Sequence, residues 1–488
     1  MLTPALDPAS DVPLVRQIVD ALLQRIERGE LSAGQRLLSV RALAEATGVS
    51  TMTVVNAYQR LVADGHVESR RGSGYFVSDR RPAPVPRRRP FVGQTAVDEQ
   101  WMLRRVYEDG PELLRAGSGW VPPEWLDGDG VRQAMAALAR KRNAGLARYG
   151  APNGYLPLRQ QVSGLLAQRQ IVAAPHQIVL THGASQALEI VARHLLQPQE
   201  AVLVDEPGST NLFAMLRANG QRLIGVPRGP DGPDPAQLRA LAQRHRAKVL
   251  VLMTNLHNPT GTCCTPAVAY QVLRVAEELD LRIVELDPMA GLEPPGATTL
   301  ASLDGLRRVI YVGTFSKTLS PSLRIGHVSA SEDTVEQLLL HKMRASLTSS
   351  ELVERLLHTL LAEGRYPRHV ARLAERLREA GQRVSDGLEA AGLQLFHRPA
   401  GGPFMWARLP GEGVDMRAVA QRAVEAGIVL APGELFHTGQ QRSPWTRLNV
   451  AYADDPRVYD FLAGEARAAR HGPDRKSTRL NSSHGYIS

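Results

Sequence analysis

GTFSKTLSPSLRIG, residues 313–326, places an amine and a guanidinium, Lys317 and Arg324, in one loop directly after the apolar run RVIYVG (308–313). A loop lysine can form a Schiff base with a carbonyl compound, and a nearby arginine can pair with a phosphate. Upstream, QIVL (177–180), AVLV (201–204), KVLVLM (248–253) and LRIVEL (281–286) alternate with helical patterns. That alternation predicts a three-layer α/β domain with a mainly parallel sheet, whose ligands belong at the strand ends. Two more loops fall at such ends. THGASQALEI (181–190) opens a helix, so Gly183, Ala184 and Ser185 can offer backbone amides and a hydroxyl to a phosphate. LHNPTGTCCT (256–265) sets Asn258 before a rigid Pro-Thr-Gly turn. Further on, Arg447 sits in the strand-like run PWTRLNVAYADD (444–455), either to clamp a substrate carboxylate or to form a structural salt bridge at a strand edge.

The N-terminal part reads differently. Leu14, Ile18, Leu22 and Ile26 form one stripe on a helix ending near Gly29. A second helix carries Val40, Leu43 and Ala44. Gly48-Val49-Ser50 then punctuates, and Ser50 can cap a third helix running through Leu61. HVESRRGSGYFV (66–77) predicts two short strands about a glycine turn, a wing. A three-helix bundle with a solvated charged face is the competing interpretation, but it has no need of a wing. Between Asp79 and about Gln94, RRPAPVPRRRPFVGQ is a semi-rigid Pro/Arg-rich linker, either a solvated spacer or an added source of phosphate attraction.

The stretch LSVRALAEATGVSTMTVVNAYQRLVADGHVESRRGSGYFV (38–77) resembles the GntR-family winged helix-turn-helix. The resemblance implies that Arg41, Ser50, Thr51 and Thr53 face double-stranded DNA, with Arg70, Arg71 and Gly74 setting the wing against phosphates or the minor groove. Thr51 replaces a frequent arginine and Leu38 a frequent proline, so base preference does not transfer. From about Tyr149 to Tyr452 the chain resembles fold-type I aminotransferases, and the whole is similar to MocR-type GntR regulators. This implies pyridoxal 5'-phosphate as cofactor, with Lys317 as its Schiff-base lysine. Asn258 would bond the phenolic oxygen, Gly183, Ala184, Ser185 and Arg324 would hold the phosphate, and Arg447 would bind a carboxylate. It further implies a homodimer and a small amine or amino-acid effector; the lack of a bilayer-spanning apolar run and of a secretory pattern implies a cytoplasmic protein.

Three positions depart from the family pattern. In Glu285-Leu286-Asp287-Pro288-Met289, leucine stands where an aspartate pairs with the pyridine nitrogen, and methionine where a tyrosine is usual. Ser209 in DEPGSTNLF (205–213) stands where an aromatic ring stacks on the cofactor. Asp287 can replace the missing carboxylate only if the strand register slips by one residue, because successive side chains point to opposite faces. The expectation is a weakened cofactor site and slow transamination. Three alternatives follow: a regulator that senses an amine or vitamin B6, with ligand exchange at Lys317 shifting the domain arrangement; an active aminotransferase with an appended DNA-binding domain; and a cofactor-free regulator that keeps the fold for dimerisation.

The composition bounds these readings. With 488 residues, 43% hydrophobic and 22% charged, the chain is too long for one core. A net charge of +9 permits nucleic-acid binding without locating it. Lysine occurs only at 141, 248, 317, 342 and 476, so nearly all positive charge is arginine. The adjacent pair Cys263 and Cys264 suits neither a normal disulfide nor a zinc site, and no metal is expected. No apolar run spans a bilayer, and the N-terminus lacks a secretory pattern. DRKSTRLNSSHGYIS (474–488) reads as translated sequencing adapter, with the authentic frame interrupted near Pro473. The expected organisation is a winged helix-turn-helix over 1–78, the linker over 79–110 and an aminotransferase-like domain over 111–473, with a small C-terminal α/β subdomain from about 345.

Overall fold

The computed structural model describes residues 6–7, 12–70, 72–78, 113–140 and 147–471; the predicted linker, Arg71 and the 474–488 tail lie outside them. The chain divides into two compact units, Met1–Thr95 and Ala96–Ser488.

In the first unit, α1 (Leu14–Glu27), α2 (Val40–Thr47) and α3 (Thr51–Ala63) precede a hairpin of β1 (Val67–Arg70) and β2 (Gly74–Val77). Ile18 and Leu22 of the α1 stripe are buried, with Leu43, Val54, Ala57, Tyr58 and Leu61 completing the core. Gly48 ends α2 in the left-handed region at φ 69°, a conformation open to glycine without a Cβ penalty. Two residues later the Ser50 side chain accepts a hydrogen bond from Thr53 N and starts α3. That tight exchange of caps produces the helix-turn-helix. The wing pairs antiparallel with Val67 opposite Val77, and Leu37 N donates to Tyr75 O at 2.9 Å, drawing the segment before α2 onto it. Tyr58 Oη donates to Leu38 O at 2.8 Å, tying α3 to that same segment.

The second unit is built on eight strands: β3 (Ile178–Thr181), β4 (Ala201–Glu206), β5 (Arg222–Gly229), β6 (Gly232–Pro233), β7 (Val249–Leu252), β8 (Arg282–Asp287), β9 (Val309–Thr314) and β10 (Gly326–Ser329). Their order is β3-β10-β9-β8-β7-β4-β5-β6. Every predicted run forms a strand. The pairs β5-β4, β4-β7, β7-β8 and β8-β9 are parallel, while β10 runs antiparallel to both β9 and β3. The strands read as continuous apolar runs because helices cover both faces. Val204, Val251, Val284, Leu286 and Val312 pack on one side against helices Gly183–Leu195, Thr210–Ala218 and Glu332–Ser346. Leu203, Leu250, Ile283 and Tyr311 pack on the other against helices Leu156–Gln168, Pro235–His245 and Pro266–Glu278.

A second, antiparallel sheet follows: β11 (Gln394–Leu395), β12 (Phe404–Arg408), β13 (Ala431–Pro432) and β14 (Trp445–Asn449), in the order β11-β12-β14-β13. Helices Arg365–Ala390, Met416–Glu425 and Pro456–His471 accompany it. The segment from Leu114 to Gly117 hydrogen-bonds to Gly427 and Val429, which carries residues 117–120 across to the ends of the large sheet.

Candidate functional site

The loops after β3, β7 and β9 open on one edge of the large sheet, where Lys317, Arg324, Asn258 and Arg447 converge. Lys317 Nζ is partly buried and donates to Gly119 O at 2.8 Å, with the Trp120 ring 5.5 Å away. Burial first, then the positive charges of Arg447 and Arg324, push its amine down to about 8. Arg324 takes a left-handed conformation, φ 51°, and its Nη1 donates to Ser316 Oγ at 3.3 Å. Its guanidinium lies against Gly183, where a Cβ would stand 2.6 Å from Nη2. Glycine at 183 therefore brings an arginine onto the first turn of helix Gly183–Leu195. Ala184 is half-buried and Ser185 exposed on that turn.

Arg447 is buried on β14 and bonds two acceptors: Asn258 Oδ1 at 2.8 Å and Gly117 O at 2.6 Å. Phe404 and Phe436 flank the guanidinium at 4.8 and 4.9 Å, and its Nε has no partner. β14 is an interior strand, between β12 and β13. Burial lowers the Arg447 guanidinium below its usual range, yet it stays protonated at neutral pH. Among the described residues, none of Lys317, Arg324 and Arg447 has a carboxylate partner. Three cations therefore concentrate positive charge where these loops meet, an arrangement able to attract an anionic group.

Several supports were not visible as motifs. Asn449 donates to Ser118 O at 3.1 Å and Trp120 O at 2.9 Å, holding the segment that meets Lys317. Below Asn258, Arg228 pairs with Asp205 at 3.1 Å, His257 Nε2 lies 3.4 Å from Asp205, and His257 Nδ1 meets Thr260 Oγ1 at 2.8 Å. Burial holds His257 down at about 4, so it is neutral in this network. Asp205 and His257 lie on separate segments far apart in the chain, so no motif marks this network.

The three departures are placed as follows. Leu286 packs into the apolar cluster beneath helix Gly183–Leu195. Asp287 points to the opposite face, where it accepts from Tyr311 Oη at 2.9 Å and pairs with Arg169 at 2.6 Å. Met289 is buried in that other cluster, and Ser209 is half-buried at the start of helix Thr210–Ala218.

In the first unit, Arg41 and Thr51 are exposed, while the Ser50 and Thr53 hydroxyls meet each other at 2.8 Å. Arg70 stacks over Phe76 at 4.5 Å, with Glu68 3.8 Å away. Arg36, overlooked in the sequence, lies beside Gly74 on the wing: a Cβ at Gly74 would be 3.5 Å from its Nε. No cluster of three or more acidic, His or Cys side chains able to hold a metal occurs among the described residues.

Comparison with known proteins agrees with both units. Residues 125–463 match the family of class I and II aminotransferases, and residues 14–77 match bacterial regulatory proteins of the gntR family. The HTH-type transcriptional regulator TauR of Rhodobacter capsulatus is 29% identical, covering 95% of this chain and 98% of TauR. The 2-aminoadipate transaminase of Thermus thermophilus is 30% identical over 74% of this chain and 91% of its own. The solved structure of LysN, an alpha-aminoadipate aminotransferase from Thermus thermophilus, superposes with a TM-score of 0.69 at 28% identity, over 76% of this chain and 94% of that one.

Proposed function

Because the chain belongs to the aminotransferase class I and II family and carries a gntR-family helix-turn-helix ahead of that domain, we propose a transcriptional regulator of the MocR type whose large domain binds an amine ligand without transaminating it. The helix-turn-helix supplies DNA binding. The aminotransferase fold is commonly dimeric, and a homodimer suits an operator with two half-sites. No helix among the described residues is long and apolar enough to cross a membrane. A role on DNA supports a cytoplasmic location.

The family's cofactor, pyridoxal phosphate, is tested against two ends of the site. At one end the residues fit. Arg324 and the helix-starting amides at Gly183 and Ala184 make a cradle that a Cβ at 183 would fill, suited to a phosphate. Lys317, lowered to about 8, has about one amine in ten neutral at pH 7 and so available to a carbonyl. Asn258 lends its Oδ1 to Arg447 and keeps its amide hydrogens for a phenolic oxygen. Arg447 offers Nε to a ligand carboxylate.

At the other end they do not fit. When bound, the cofactor supplies an aldehyde for amines and a ring that withdraws electrons once its nitrogen is protonated. Holding that proton takes a carboxylate; Leu286 has none, and Asp287 is committed to Arg169 and Tyr311. This placement of two adjacent residues is the observation that carries the proposal of binding without turnover.

The test is a visible spectrum of the purified chain with added pyridoxal phosphate, followed by borohydride reduction, peptide mapping and an amino-acid transamination assay. A reducible band mapped to Lys317 with no turnover is expected. Sustained transamination would make the protein an enzyme, and absence of any band would make it a cofactor-free regulator.

A further inference from the structure

Resting on the regulator reading, this inference concerns which bases the chain reads. On α3, Val54, Ala57, Tyr58 and Leu61 face the core. At 100° per residue, Met52, Val55, Asn56 and Gln59 fall within an arc of about 100° on the opposite side. Met52 is 65% exposed, Asn56 and Gln59 are exposed, and Val55 is half-buried. Asn56 and Gln59 have no side-chain hydrogen-bond partner among the described residues. The hydroxyls of Ser50 and Thr53, by contrast, are engaged with each other and with the α3 cap.

The chemistry of that arc is selective. It contains no arginine or lysine, the side chains that pair with guanine, and no carboxylate to accept from cytosine. Its two amides match the adenine N6/N7 edge, and Met52 and Val55, on the first two turns, match the C5-methyl of thymine. Arg60 falls just outside the arc, where phosphates flank the groove. A single exposed methionine is unremarkable on a surface. Here it occupies the first turn of the helix that a helix-turn-helix presents to the major groove. We infer that α3 reads A·T pairs, Asn56 and Gln59 bonding adenine while Met52 and Val55 pack on thymine methyls.

The experiment uses the full-length chain and a pool of randomised duplexes at one fixed salt concentration. Enriched sequences should carry adjacent A·T pairs at the centre of each half-site. Thymines of the selected site are then replaced by deoxyuridine, which keeps pairing and removes only the methyl. Affinity should fall about fourfold for each contacted methyl, and Met52→Ala, at an exposed position, should remove one such step. Asn56→Ala should relax selection at one adenine. A G·C centre, or indifference to the methyls in both wild type and Met52→Ala, would overturn this inference and leave the regulator reading standing. A chain that enriches no sequence at all would overturn both.

Discussion

Arg169 and Asp287 form an ion pair at 2.6 Å on the face of β8 opposite Leu286. Arg169 also meets Glu293 at 2.8 Å and donates to Tyr311 Oη at 2.8 Å, so the aspartate belongs to a buried network. A one-residue slip of β8 would turn Asp287 toward the site, but would strand Arg169 and Glu293 without it and bury Leu286 among charges. Asp287 is therefore held on the face of β8 opposite position 286.

Leu286→Asp places a carboxyl group in an apolar cluster and should cost about 3 kcal/mol or more in the absence of ligand. Pyridoxal phosphate should restore more stability to this variant than to the wild type. Thermal melts with and without the compound measure the difference; equal shifts would mean that position 286 does not face the ring.

Removing Arg169 tests the lock directly. Arg169→Met leaves Asp287 and Glu293 buried without their cation and should destabilise the fold by about 3–5 kcal/mol. Adding Asp287→Asn should recover part of that loss, a coupling read from a double-mutant cycle in denaturant. Additive losses would show that the pair is not the reason for Asp287's placement.

Lys317 has its amine lowered to about 8 by burial and by two neighbouring cations. The depressed value means that the buried ammonium costs stability below pH 8, a cost that disappears as pH rises from about 8 through the unfolded value. In the folded chain the neutral amine gains population around pH 8. The rate at which the visible band forms with pyridoxal phosphate should therefore climb with a midpoint near 8. A midpoint near the ordinary lysine value would place the reacting amine elsewhere, as would a band that survives Lys317→Ala.

Arg447 predicts a preference among ligands. Amines that carry a carboxylate should perturb the bound spectrum at lower concentration than their decarboxylated counterparts. Arg447→Ala should weaken the former by at least about 30-fold and leave the latter nearly unchanged. Equal loss for both classes would indicate that the guanidinium only supports Asn258 and the Gly117 segment.

For DNA, Arg41→Ala should weaken binding and reduce the slope of log affinity against log salt by about 0.9, the release of one phosphate's counterion. An unchanged slope would take Arg41 off the DNA.

Much of this protein was legible because its signals are local. Gly48 and Ser50 end and start helices through their own backbone geometry and through the Ser50 side chain accepting from a backbone N–H three residues on. Apolar runs from QIVL to RVIYVG become strands buried on both faces, and Lys317 and Arg324 share a loop because only six residues separate them. Alternation along β8 likewise implied that Leu286 and Asp287 face opposite ways. What tertiary structure alone decided was which face is which and who waits there. Arg169 lies far along the chain from Asp287, and Gly117 is 330 residues from the Arg447 that it anchors. Such partners are chosen by strand order and by the path of the 114–120 segment, which leave no periodicity in the sequence. The same holds for α3, where the cap brings the Ser50 and Thr53 hydroxyls together while Met52, Asn56 and Gln59 face outward.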